Sequence, residues 1–214
     1  MVMVFTASYA HAHQPRIAFG ARHPLEAPII IEKPEISQAY YGELKGEADY
    51  YQIESSKPFK LYLNLLAPDQ AGARTDTSVD VTSGSQKITT LKGSSAKWKS
   101  FFEEFARDNY LRGPEFEQMV PAGRYYLKVY NRDNQGKYSL AVGDIESFPL
   151  DETIKTALRL PSIKKHFFTK PAISAFLNLV GLFLAIELAI GLGFIFGVIF
   201  VIRKILAKWR VKGG

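Results

Sequence analysis

Apolar positions along the chain fall into two regimes, short alternating runs up to residue 145 and one continuous block near the C-terminus. The runs read as strands at Ile29–Ile31, Ala39–Lys45, Tyr50–Glu54, Phe59–Leu66, Ser78–Thr82, Lys87–Leu91, Phe116–Val120, Tyr125–Asn131 and Tyr138–Gly143. Phe59, Leu61, Leu63 and Leu65 alternate with mostly polar neighbours, as a half-buried strand requires, and Tyr125–Tyr130 repeats the pattern. The turn-rich Asn131–Gly136 then predicts a hairpin into Lys137–Val142. Many short strands with turn punctuation predict an all-β sandwich over residues 28–149. One stretch changes period. Phe101, Phe102, Phe105 and Ala106 sit at helical spacing among Glu103, Glu104, Arg107 and Asp108, which predicts a short amphipathic helix over Trp98–Tyr110, its aromatics in the core.

The continuous block, residues 172–202, carries only Ser174, Asn178 and Glu187 as strongly polar side chains. About 20 apolar residues cross a bilayer core of ~30 Å, so this block is expected to be one transmembrane helix with length to spare, the lipid bilayer its first partner. Ahead of it, residues 150–171 place Ile154, Leu158, Ile163 and Phe167 among cations with Pro161 interrupting, the pattern of a broken amphipathic collar at the headgroups or of a plain linker. Residues 203–214 form a basic tail. At the other end, residues 1–12 read as the tail of a secretory signal, with small residues allowing cleavage after Ala10 or Ala12, or else as a frayed arm; residues 13–27 continue as an N-terminal arm.

Charge sharpens this layout. The formal net charge is +6, but residues 13–150 hold 17 Lys and Arg against 18 Asp and Glu, and residues 151–214 hold 10 against 3. The basicity thus flanks the apolar block, where cations meet lipid headgroups, and a nucleic-acid partner is not expected. Five cations precede the block and five follow it more closely, with Asp151 and Glu152 weakening the first group. With the signal-like start, the expected topology is a single-pass cell-membrane protein, its domain extracytoplasmic and its tail cytoplasmic. The absence of cysteine excludes disulfides, thiolate metal sites and a Cys nucleophile.

The stretch Tyr41–Ile53, with Gly42, Gly46, Asp49 and Tyr51, resembles the opening of bacterial pre-peptidase C-terminal (PPC-type) domains. Pro121–Tyr130 followed by Gly136–Val142 is similar to the ending of that family, and residues 98–110 depart from it. The resemblance implies a jelly-roll-like sandwich with a non-catalytic accessory role. The whole chain also resembles single-pass proteins of bacteria and archaea, which implies no function.

Candidate chemistry is sparse. His11, His13 and His23 lie close together, and cleavage at either site would leave a histidine first, so amine and imidazole could chelate copper. Ser83, Ser85, Ser94 and Ser95 lie in polar turns with no histidine near in sequence, Asp76 and Asp80 lack the EF-hand spacing for calcium, and Tyr40, Tyr41, Tyr50 and Tyr51 could stack on sugars or fill a core. Glu187 is costly inside a bilayer, and Gly193 and Gly197 form a small-xxx-small pair, so the helix is expected to touch a membrane-protein partner or a second copy. The expected function is that of a non-enzymatic accessory or interaction subunit without a cofactor. The alternatives are copper handling or redox assistance through the N-terminal histidines, and carbohydrate binding.

Overall fold

The computed structural model describes residues 13–212 apart from Phe105; of Leu179, Val180, Phe183 and residues 205–212 only the backbone is described. His11 and the signal-like segment 1–12 lie outside the described residues. The strands are β1 (Gln14–Ile17), β2 (Ile29–Ile31), β3 (Gln38–Lys45), β4 (Asp49–Ser55), β5 (Phe59–Pro68) and β6 (Ser78–Ser83). They continue with β7 (Gln86–Leu91), β8 (Lys99–Glu103), β9 (Asp108–Val120), β10 (Gly123–Tyr130) and β11 (Gln135–Val142), before helices α1 (Leu150–His166) and α2 (Leu179–Lys212). One sheet runs β1-β3-β11-β5-β9-β8 and the other β2-β4-β10-β6-β7. The fold is a β-sandwich followed by one long apolar helix.

Alternation explains the core. Leu61, Leu63, Leu65 and Leu140 from the first sheet meet Ile53, Val79, Val81, Leu127 and Val129 from the second, all fully buried. The segment 123–142 is not a hairpin. Its two strands belong to different sheets, β10 pairing with β4 and β6, and β11 with β3 and β5. Apolar alternation is satisfied equally by two neighbours in one sheet and by two strands facing each other across a core, so the pattern alone does not choose. The turn is held by Asn131, whose side-chain amide donates to the Gln135 carbonyl at 2.7 Å and whose side-chain oxygen accepts the Gln135 N–H at 3.1 Å. Beside it, the β3–β4 turn crosses between the same two sheets through Gly46, whose φ of +89° suits glycine and whose N–H donates to the Asn134 carbonyl at 2.7 Å.

The expected helix over residues 98–110 is absent. Lys99–Glu103 and Asp108–Val120 are strands paired antiparallel, with Phe101 opposite Tyr110 and Glu103 opposite Asp108. Aromatic strand residues and the long partner strand override the local helical spacing. The helix of this fold lies in residues 150–166, where the sequence pattern suggests a broken collar. It runs through Pro161 and carries Asp151 and Glu152 in its first turn, with Lys164, Lys165 and His166 in its last, the polarity a helix dipole favours. The apolar block divides as well. Residues 172–175 form a 3-10 turn with Ala175 buried at the foot of the domain, and Leu184–Lys204 is the part long and apolar enough to cross a membrane.

Buried tyrosines give this core a pH limit. Tyr51, Tyr138, Tyr41 and Tyr110 are all buried, and burial raises each phenol above its ordinary value near 10. A raised acid stabilises the fold while it stays protonated, so that stability begins to be lost as pH climbs past the unfolded value of about 10. The thermal midpoint of the full chain in mild detergent is expected to hold from pH 8 to 9.5 and to fall above 10; a flat profile to pH 11 would contradict this burial.

Candidate functional site: the foot of the sandwich

The outer face of the first sheet is covered, and its sequence anticipates that. Across the strands, Tyr41, Ser139, Leu66 and Arg112 stand in one row of register, next to a row containing Pro15, Ala39 and Ala141. The second row is small, so α1 approaches closely there. Ile163 and Leu160 come down from α1, and Phe167 and Phe168 follow it, all buried. Phe167 meets Tyr41 edge-on at 4.9 Å between centroids, and Phe168 meets Tyr110 edge-on at 5.1 Å. The Tyr41 and Tyr110 hydroxyls share a hydrogen bond of 2.8 Å, satisfying both in an apolar site.

An ionic latch closes this foot. Lys164 and Asp108 are each only 1% exposed, and the Lys164 ammonium donates to Asp108 Oδ2 and to the Ala106 carbonyl, both at 2.6 Å. Lys170 donates to Asp108 Oδ1 at 2.8 Å and to the Arg107 carbonyl at 3.1 Å. Asn178 donates to the same Ala106 carbonyl at 3.1 Å, and its side-chain oxygen accepts the Gly181 N–H at 3.2 Å where α2 begins. The β8–β9 turn, the end of α1 and the start of α2 therefore converge on one carboxylate and one carbonyl. Burial lowers the Lys164 ammonium below its ordinary value, and Asp108 opposes that shift. Gly181 is required here, because a side chain would collide with the Phe176 carbonyl where the chain folds back into α2. At the other end of α1, Arg16 pairs with Glu152 at 2.7 Å, and Arg159 donates to the Pro15 carbonyl at 3.1 Å.

Between sheet, α1 and the start of α2 lies a cavity of about 720 Å³. Phe101, Tyr110, Phe148, Leu160 and Leu184 supply much of its apolar wall. Three buried side-chain atoms without a hydrogen-bond partner among the described residues, Ser139 Oγ, Thr156 Oγ1 and Arg112 Nε, belong to residues that line it. Glu187 lines it too, one turn into the apolar span. A second, more polar cavity of about 490 Å³ lies beside the N-terminal arm and includes Arg16, His23, Glu152 and Arg159.

The residues singled out from the sequence are dispersed. His13 hydrogen-bonds Ser37 Oγ and lines the first cavity; His23 reaches the Ala18 carbonyl at 3.0 Å and lines the second. Among the described residues no cluster of His, Asp or Glu suits a metal ion. Asp76 pairs with Arg74, and Asp80 with Lys87 and Thr90, so both carboxylates are occupied by this chain's own donors. Ser83 and Ser95 donate to backbone carbonyls of Arg124 and Lys92. Tyr40, Tyr41 and Tyr51 are buried, whereas half-buried Tyr50 lies under Lys128. Gly193 and Gly197 have open space on their helix. Sequence reasoning missed Asp108 and Lys164, and also Ser139, which reads as one polar residue of an alternating strand. The visible signal was a lysine in a helical stretch at the position where Ile163 and Phe167 point inward.

Comparison with protein-family profiles gives no match, and comparison with curated protein sequences gives none. Among solved structures, the chain is similar to the pre-peptidase C-terminal domain of a collagenase from Bacillus anthracis, with a TM-score of 0.32 and 12% identity over 62% of this chain and 95% of that one. It is also similar to a β-glucosidase from Paenibacillus barengoltzii, with a TM-score of 0.24 and 10% identity, covering 62% of this chain and 13% of that one. Scores this low carry no argument, and the β-sandwich rests on the two sheets described above.

Proposed function

We propose that the chain is a single-pass membrane protein whose PPC-type sandwich stands outside the cytoplasm as a non-catalytic accessory and interaction subunit. The observation that carries this reading is the latch, in which Asp108 pairs with Lys164 of α1 and Lys170 of the segment leading to α2, while Asn178, just before α2, donates to the Ala106 carbonyl. A domain tethered only for retention needs no ordered junction. A domain that must present a surface at fixed height and angle to a neighbour in the membrane does. The span Leu184–Lys204 supplies the anchor, and the open Gly193 and Gly197 face offers another helix a close approach.

Topology and assembly test this directly. External protease on intact cells is expected to remove the sandwich while a tag after Gly214 stays protected; protection of the sandwich reverses the orientation. Gly193→Ile is expected to shift the parent assembly in mild detergent towards the free chain, seen by size and by native mass. An unchanged assembly leaves α2 as an anchor alone and removes the contact role.

A further inference from the structure

We infer that the cavity at the foot holds an acyl chain of a bilayer glycerolipid, with the lipid's ester oxygens against Ser139, Thr156 and Arg112. The inference rests on the membrane-anchored reading and goes beyond it. Leu184 is the first residue of the apolar span and also a wall of the cavity, so the cavity meets the bilayer at its surface. Leu150 also lines the cavity and begins an exposed stripe with Ile154 and Leu158 spaced four residues apart on one face of α1. An exposed apolar stripe on a helix next to a membrane span suits the headgroup–acyl boundary.

The walls named above are hydrocarbon, and the volume lies in the range of small-molecule sites, about 300–1,000 Å³. The three unpartnered atoms are all donors, two hydroxyls and the Arg112 Nε–H, and Ser139 is 1% exposed. Buried donors call for acceptors from whatever fills the space. A neutral ester suits them better than a free carboxylate, because the lining carries two further acidic residues, Glu103 and Glu187, against one arginine, Arg112. Asp108 is already committed to Lys164 and Lys170.

The full chain in nanodiscs of phosphatidylethanolamine and phosphatidylglycerol, doped with a phosphatidylcholine bearing a diazirine in its acyl chain, provides the test. After photolysis, peptide mapping is expected to find label on cavity residues such as Phe101, Tyr110 and Leu160, as well as on residues 184–202. Ser139→Leu, which fills space and removes a donor, should lower cavity labelling at least fivefold with span labelling unchanged. Thr156→Val, nearly isosteric, should lower it two- to fivefold and serves if Ser139→Leu does not fold. Label in the span alone, cavity label that both folded variants retain, or cavity label obtained only with diazirine palmitate would overturn the inference and leave anchoring intact. Absence of label from span and cavity together overturns anchoring and, with it, the lipid.

Discussion

Asp108→Ala is expected to destabilise the folded chain by about 3–5 kcal/mol, the cost of leaving a buried charge without its counter-ion. Lys164 would keep the Ala106 carbonyl as acceptor but lose its carboxylate in a site with 1% exposure. Lys170 would suffer less, since its side chain is 36% exposed and can turn to water. In thermal unfolding the loss corresponds to a midpoint drop on the order of 10 °C for a chain of this size. The paired replacement Asp108→Leu with Lys164→Met is expected to recover most of that, because exchanging both partners for apolar groups removes the desolvation cost of both charges. A double variant no more stable than Asp108→Ala would mean that something other than the uncompensated charge carries the loss.

Phe167→Ala is expected to cost a similar ~3–5 kcal/mol, the range for emptying a buried aromatic site. The ring is 1% exposed and stands edge-on to Tyr41 and to Phe168, each at 4.9 Å between centroids. Tyr41 in β3 and Tyr110 in β9 are held by the sheet and cannot collapse into the gap. Its carbonyl, which accepts from Lys137 at 3.3 Å, would remain. Leu158→Ala on the same helix, at 75% exposure, should change stability by less than about 0.5 kcal/mol. Because Phe167 and Lys164 close one foot, the combination of Phe167→Ala with Asp108→Ala should fall short of the sum of the single losses. Full additivity would show that ring and ion pair hold separate structures.

Strands with an alternating stretch were legible in the sequence, Phe59–Leu66 and Tyr125–Asn131 among them, and the structure places β5 and β10 there, because burial of one face imposes a period of two. What alternation does not encode is which strand lies beside which. Tyr125, Leu127 and Val129 point into the same core as Tyr138, Leu140 and Val142 from the opposite sheet. The segment 98–110 failed for a related reason. Phe101, Phe102 and Ala106 sit at helical spacing by accident of a strand–turn–strand, and Asp108, the first residue of β9, pairs with a lysine 56 residues away. No local signal announces such a pair. Ala175, read as membrane-embedded, is apolar because Leu160 covers it at the foot. The cavity was invisible for the same reason: Ser139 and Thr156 become unusual only once sheet and helix are packed together.

On the proposed reading, sandwich and apolar helix form one fixed unit through the latch. The chain has no cysteine, so spin labels can be placed by Met119→Cys on the exposed face of β9 and Ile190→Cys on α2 without other substitutions. Pulsed electron–electron distance measurement on the doubly labelled chain in nanodiscs is expected to give a single narrow distribution, which broadens when Asp108→Ala is added. A broad distribution in the parent, unchanged by Asp108→Ala, would contradict the claim.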